Sequence, residues 1–232
     1  MASITDAEFG EITIKRIAST RHVRIRVGND GRYIATAPAY TPLYFIKRMV
    51  ESSRDELRKL ADHTSIASPY VDGQQIGKSH QLAVVPTSMV SSPTVSVKKQ
   101  KIVVQLPPSI ALSDMSVQQQ IRDTVIRTLR KEAKAYLPKR LKYLADMHGF
   151  SYEKIRFSHS SGRWGSCSSA GTISLNIALM KLPHELIDYV LIHELSHTRQ
   201  MNHSVAFWAE VASYDTHYRL HRRLLKKESP SV

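Results

Sequence analysis

A histidine–glutamate pattern near the end of the chain, H-E-x-x-H, has the residue types and spacing best suited to chemistry. It comprises His193, Glu194 and His197, and a further histidine, His203, follows six residues after the pattern. Histidines four positions apart lie on one face of a helix, so both imidazoles can bind a single metal ion. Glu194 lies about 60° round the helix from His197, where its carboxylate can hold a water molecule beside the ion. The pattern therefore predicts metal-dependent hydrolysis with Glu194 as general base.

The helix predicted over 183–200 to carry this pattern is apolar on nearly every side, which is typical of a buried helix. Burying two imidazoles and a carboxylate costs several kcal/mol unless something compensates for them. A divalent cation compensates for all three, so the setting favours a metal site over a chance occurrence of the pattern. The apolar residues are Leu186, Ile187, Tyr189, Val190, Leu191, Ile192 and Leu195.

The third metal ligand decides which subclass of metal site is present. His203 has the spacing used by metzincins, H-E-x-x-H-x-x-G-x-x-H, but Gln200 stands where that motif has glycine. The turn after the helix must then be made elsewhere, and we expect Asn202 to accept a positive φ. Ser204 is predicted to cap the following helix. Glu210 is the alternative third ligand; His203 is preferred because it lies nearer the helix junction and imidazole suits zinc.

The elements that position the site begin with a mostly β part, predicted over residues 1–110. Alternating polar and apolar residues predict a hairpin across 21–37, with turn residues at 28–31. A second hairpin is predicted across 94–106. Between the two hairpins, helical spacing of apolar residues predicts one helix from 42 to 62.

Residues 111–232 are predicted to form the hydrolase core, because the composition shifts there from strands to helices. A long helix is expected over 115–148, kinked or interrupted by Pro138. No internal repeat is evident in the sequence. The remaining predicted elements are strands at 154–159 and 172–176 and helices at 183–200, 204–213 and 216–227.

Charge and cysteine content limit the partners and the compartment. A formal net charge of +13 favours a polyanionic partner such as nucleic acid or a nucleotide, although basic charge can also serve solubility alone. Cys167 is the single cysteine, which excludes an internal disulfide framework and fits a reducing compartment. No apolar stretch is long enough to span a membrane, and no signal peptide is evident. The expectation is a cytoplasmic protein with no membrane partner.

Several short motifs together resemble the YgjP-like family, a bacterial group of zinc metallopeptidases related to the WLM and SprT-like peptidases. The resemblance is strongest over 150–210. It implies zinc, or another divalent metal, held by His193, His197 and His203, with Glu194 as catalytic base. It also implies an α+β fold with a zincin-like core, in which a small sheet packs on the metal-bearing helix and a long second helix. The motifs are Arg163-Trp-Gly-Ser-Cys167, Asn176, Leu182-Pro183, Asp188-Tyr-Val, the H-E-x-x-H pattern and Asn202-His203-Ser-x-x-Phe207-Trp208.

The predicted function is hydrolysis of peptide bonds in a protein or peptide, with protein associated with nucleic acid as one candidate substrate. A peptide is expected to add as an extra strand along 172–176, which ends at Asn176. Arg163 is a candidate for binding a carboxylate or phosphate, and Trp164 for stacking or filling a pocket. We therefore predict Arg163, Trp164 and Asn176 as substrate-binding residues.

Two other classes of function fit parts of the sequence. A metal-dependent phosphohydrolase, such as a nucleoside triphosphate pyrophosphatase, would use the same metal and base with Arg163 on a phosphate. A non-catalytic nucleic-acid-binding module with a structural metal would use the positive charge. Structural zinc usually has four protein ligands, whereas three histidines with a glutamate beside them are typical of a catalytic site.

Overall fold

The computed structural model describes residues 2–28, 33–63 and 69–232, and for residues 59–63 it describes the backbone alone. This described part contains helices together with sheets that mix parallel and antiparallel strands. The predicted α+β class is therefore confirmed. None of its helices is both long and apolar enough to cross a membrane.

Contacts divide the chain into two units, which we call unit 1 (Met1–Pro69) and unit 2 (Tyr70–Val232). In unit 1 the described residues form a sheet of order β1-β2-β4-β3, in which β2 and β4 are parallel and the outer pairs are antiparallel. The predicted hairpin of β3 and β4 is confirmed, and its turn lies, apart from Gly28, outside the described residues. The elements are β1 Ala2–Asp6, β2 Gly10–Arg16, β3 Arg24–Val27, β4 Tyr33–Ala37, α1 Leu43–Ser52 and α2 Arg54–His63.

The core of unit 1 lies between this sheet and its helices. Ile12 and Ala35 from the sheet are fully buried, together with Ile46 and Val50 from α1. The single helix predicted over 42–62 is wrong in one respect, since the helix is broken at Ser53, where α1 ends and α2 follows.

Unit 2 begins with a sheet that repeats the topology of the first. Its order is β5-β6-β8-β7, with β6 and β8 parallel and the outer pairs antiparallel. The structure therefore contains a repeat of topology that the sequence did not reveal. The predicted hairpin of β7 and β8 is confirmed. The strands are β5 Gln75–Ile76, β6 His80–Pro86, β7 Thr94–Lys98 and β8 Lys101–Leu106.

The long predicted helix is α3, Met115–His148, which continues through Pro138 without interruption. Asp114 caps its start, and Gly149 in the left-handed conformation ends it. α3 packs against β7 and β8 and also against elements that follow it in the chain, so one continuous core runs through unit 2. This shared core explains why the division between units falls after Pro69 and not between residues 110 and 111, where the change in composition predicted it.

The last part of unit 2 is a small sheet with three further helices. The sheet order is β10-β11-β9, with β11 parallel to β9 and antiparallel to β10. α4 packs against β10 and α3, so the predicted arrangement of a small sheet and a long second helix around the H-E-x-x-H helix is confirmed. The elements are β9 Lys154–Ser158, β10 Gly165–Cys167, β11 Thr172–Asn176, a 3₁₀ turn Ile177–Lys181, α4 His184–Ser196, α5 Val205–Tyr214 and α6 Tyr218–Leu225.

The position of β11 changes the expected substrate edge. β11 is the central strand, so both of its edges are already hydrogen-bonded to neighbours. The free edge next to α4 belongs to β10, which lies between the two predicted strands at 154–159 and 172–176 and was not predicted as a strand. The prediction that substrate pairs with 172–176 is therefore wrong, because no backbone groups of that strand remain for a further strand.

Candidate metal centre

α4 is held in place by polar contacts with the long helix. Arg140 on α3 donates from Nε to Asp188 Oδ1 at 2.8 Å and from Nη2 to Asp188 Oδ2 at 2.6 Å. The hydroxyl of Tyr136 lies 2.9 Å from Nδ1 of His184, at the start of α4. A two-point guanidinium–carboxylate contact fixes orientation as well as distance. The face of α4 that carries the predicted ligands is therefore set relative to α3.

The three predicted ligand histidines converge. Their candidate ligand nitrogens all lie within 4.8 Å of one another. Nε2 of His193 is 3.2 Å from Nε2 of His203. Nδ1 of His197 lies 3.0 Å from the carbonyl oxygen of Gln200, which makes Nδ1 the donor and leaves Nε2 for a metal.

This donor set fits a zinc ion. Zinc binds imidazole nitrogen at about 2.0–2.1 Å, so two ligands of a tetrahedral site lie about 3.3 Å apart. Burial, followed by the neighbouring His197 and His203 and by Arg222, lowers the pKa of His193 to about 3. Burial also lowers the pKa of His197. Imidazoles that stay neutral are in the form that binds metal.

The turn between α4 and α5 brings His203 back to the helix. Arg199 in this turn donates to the carbonyl oxygen of Gly149 at 2.6 Å, which ties the turn to the end of α3. Ser204 caps α5 through Phe207 N–H, as predicted. Asn202 does not have a positive φ, so that prediction is wrong: among the described non-glycine residues only Lys99 does.

Glu210, the alternative third ligand, is engaged elsewhere. Its Oε1 accepts from Arg199 Nη1 at 2.6 Å and from the Tyr214 hydroxyl at 3.2 Å. It is absent from the cluster of convergent ligand atoms in the described residues. Its carboxylate instead braces the turn that carries His203, so the geometry favours His203 as third ligand.

Glu194 is buried beside the histidines, with only 5% of its surface exposed. Its Oε2 has no hydrogen-bond partner within the described ranges. Burial raises the pKa of Glu194 to about 8, although Arg163 acts in the opposite direction. A Cβ atom on Gly165 would lie 2.6 Å from Glu194 Oε1, so the backbone of β10 can approach this carboxylate only because residue 165 has no side chain.

Asn176 is placed differently from its prediction as a substrate-binding residue. It is completely buried, and its Nδ2 donates to the carbonyl oxygens of Ser160 at 2.7 Å, Arg163 at 3.0 Å and Pro230 at 3.2 Å. Its Oδ1 accepts from Ala178 N–H at 3.0 Å. With its amide used in this way, Asn176 holds the loop before β10 and cannot reach a substrate.

A family model described as "YgjP-like, metallopeptidase domain" matches residues 21–228. The chain belongs to the YgjP-like family. The YgjP-like chain is therefore a metal-dependent hydrolase of the peptidase class, as the sequence predicted, and peptide or protein is its substrate class. No curated protein matches it.

Two solved structures are similar to part of this YgjP-like chain. One is the metallopeptidase zymogen of Pyrococcus abyssi abylysin, 28% identical, with a TM-score of 0.35, covering 39% of this chain and 92% of that chain. The other is the metallopeptidase zymogen of Methanocaldococcus jannaschii jannalysin, 19% identical, with a TM-score of 0.34, covering 39% of this chain and 94% of that chain.

The other two predicted substrate residues lie at the start of β10 in the YgjP-like chain. The side chain of Arg163 is exposed, while its carbonyl is fixed by Asn176. Trp164 is half-buried and packs against the core of unit 2, and its carbonyl accepts from Asn176 N–H at 2.8 Å. Arg163 therefore remains available to a substrate, whereas Trp164 forms part of the wall behind the loop.

Phe207 and Trp208 form an aromatic frame around the histidines, and the sequence did not identify them as functional residues. The Phe207 ring stacks on His197 with centroids 4.5 Å apart, and Trp208 stacks on His203 at 5.6 Å. Both rings lie in the first turns of α5, four and five residues after His203, and this closeness in sequence to a predicted ligand was the available signal. The frame fixes the imidazole planes that converge on the candidate metal position.

Proposed function

We propose that this chain is a zinc-dependent metallopeptidase in which His193, His197 and His203 hold the ion and Glu194 is the general base. The convergence of three imidazoles beside a buried carboxylate with one unpartnered oxygen among the described residues is the observation that carries the proposal. A zinc ion bound there supplies Lewis acidity for the peptide carbonyl and lowers the pKa of water. We also propose that the protein is cytoplasmic, which its single cysteine fits because disulfides are rare in that compartment.

In this mechanism Glu194 moves the proton. Its unpartnered Oε2 accepts a proton from the attacking water and passes it to the nitrogen of the departing amine. Burial raises the pKa of Glu194, and a divalent cation held by the neighbouring histidines would lower it and favour the carboxylate form that accepts the proton. Gly165 admits the strand backbone to this carboxylate and leaves no side chain between them.

The substrate is proposed to pair with β10 in place of β11. β10 is the edge strand of its sheet and packs on α4, so its free backbone groups lie next to the candidate metal position. An extended peptide bound there is recognised by main-chain hydrogen bonds. The loop that starts β10 places Arg163 at one end of this edge.

The test uses purified protein with the variants Glu194→Gln, His193→Ala and Glu185→Gln. Bound zinc is measured, followed by hydrolysis of casein, DNA-bound protein and nucleoside triphosphates. Glu194→Gln should keep zinc and lose about 10²–10⁴-fold of the peptidase rate, because the general base is removed. His193→Ala should lose zinc.

Glu185→Gln is the matched control, because this glutamate lies on the same helix but is exposed. It should retain both zinc and activity. Hydrolysis of nucleoside triphosphates without proteolysis, abolished by Glu194→Gln, would sink the peptidase proposal. Unchanged zinc content in His193→Ala would show that the ligand assignment is wrong.

A further inference from the structure

Two arginines at the candidate site lack the carboxylate partners that Arg140 and Arg199 have. Arg140 and Arg199 each pair with a carboxylate at 2.6 Å. Arg163 and Arg222 form no ion pair with any described residue, and both are exposed. An unpaired guanidinium beside a functional site is free to bind an anion that comes from outside the chain.

Both arginines are held in defined positions. The guanidinium of Arg222, on α6, lies 4.5 Å from the ring centre of Trp208, which in turn stacks on His203. Arg163 comes two residues before Gly165, whose backbone contacts Glu194, and its carbonyl is fixed by Asn176. The two cations thus come from different parts of the chain, one just before β10 and one in α6, and both of these elements pack on α4.

Both cations lie close to the reacting groups. The Trp208 ring beneath Arg222 has its centre 5.8 Å from that of His193, and Arg163 comes two residues before the glycine that contacts Glu194. With a divalent ion bound, the single negative charge of Glu194 does not balance the ion and two guanidinium groups. A site with this surplus positive charge attracts and orients anionic ligands.

We propose that the site selects peptides with an acidic side chain on each side of the scissile bond, one carboxylate bound by Arg163 and the other by Arg222. The proposal rests on the peptidase function proposed above and specifies its substrate class. A peptide is favoured over a free phosphate compound, because Arg163 comes two residues before an edge strand that can bind extended backbone, while Arg222 supplies its charge from a different element.

The test compares two labelled peptides of equal length, one with glutamate and one with glutamine on both sides of a central Ala-Leu bond. Binding to metal-free protein is measured by fluorescence anisotropy, and cleavage is measured with zinc-loaded protein. The acidic peptide should bind and be cleaved preferentially. Arg163→Gln and Arg222→Gln should each reduce that preference by about fivefold, and salt should weaken it.

Arg223→Gln is the matched control, since it removes the same charge from the neighbouring exposed position of α6. It should keep the preference for the acidic peptide. An equal loss of preference in this variant would show that net charge alone is responsible, and would overturn the proposal. Equal binding of both peptides would also overturn it, as would stronger competition by a phosphopeptide or an oligonucleotide. Selective binding without any cleavage would instead refute the peptidase function.

Discussion

The two four-stranded sheets have the same strand order and the same strand directions, yet they serve different purposes. The segment between the second and third strand has the same length in both, residues 17–23 and residues 87–93. Ile12 and Leu82 occupy equivalent buried positions in β2 and β6. The structural repeat is therefore close, although the residues differ.

The difference lies in the helix that covers each sheet. α1 and α2 complete a separate core for the first sheet. α3 covers the second sheet and then continues beside α4 and the small sheet, within a core that also includes residues next to the metal site. The same topology is thus a self-contained unit in one case and the support of the candidate active site in the other.

The largest expected effect comes from cutting the chain at different places. A fragment of residues 70–232 should unfold cooperatively and bind one zinc, because it retains the second sheet with α3. A fragment of residues 111–232 should not fold, since the apolar face of α3 would be exposed to water. Denaturant unfolding and zinc titration check both fragments, and cooperative unfolding of the shorter one would break the comparison.

Matched cavities in the two sheets come next. Leu82→Ala and Ile12→Ala should each lower the free energy of unfolding of their own unit by about 2–5 kcal/mol. Zinc binds only unit 2 under the present assignment, so added zinc should raise the melting temperature of the transition that Leu82→Ala lowers. The transition lowered by Ile12→Ala should not respond to zinc. Calorimetry with and without zinc measures both.

A smaller difference is expected between two glycines near the first turn of each sheet. Gly77 has φ 60°, and a Cβ there would meet the Glu132 carboxylate and lie 2.7 Å from Leu129. Gly10 has φ 66° with nothing within 4 Å. Gly10→Ala should cost about 1 kcal/mol for the conformation alone, and Gly77→Ala clearly more because of the added contacts. Equal costs from denaturant unfolding would contradict the close packing of α3 on this turn.

The smallest effect concerns the pH dependence of unit 1. Burial acts to raise the pKa of Asp6, but the backbone N–H groups of Glu8 and Phe9 and the Arg54 side chain outweigh it and lower the pKa. A lowered pKa gives stability that is present above the unfolded value of about 3.9 and is lost as pH falls through the folded value. Asp6→Asn should therefore destabilise unit 1 at neutral pH, with a difference from wild type that shrinks in acid, as followed by thermal melts.

The sequence predicted those parts of the site that depend on local spacing. His193, His197 and Glu194 lie within one helix, and the cap at Ser204 set the start of the next, so their placement required only helical geometry. β10 was missed because Gly165-Ser-Cys167 has no apolar alternation and becomes a strand only by pairing with β11.

The sequence did not predict features that depend on contacts between residues far apart in the chain. Asn176 was assigned to substrate, whereas its amide binds carbonyl groups as far away in the chain as Pro230. The repeated sheet was missed because matching positions such as Ile12 and Leu82 share only apolar character. The domain boundary expected near residue 110 was misplaced because α3 packs on the preceding sheet. Contacts between elements of this kind cannot be predicted from a local sequence pattern.

Asn176 also bears on how tolerance to substitution should be interpreted in this protein. Aspartate lacks the two N–H donors, and a larger residue does not fit a site with no exposed surface, so this position should reject nearly every replacement. A survey of viable variants would then score Asn176 as being as intolerant as Glu194. The two would differ in what is lost: folded protein in one case, and turnover by folded protein in the other.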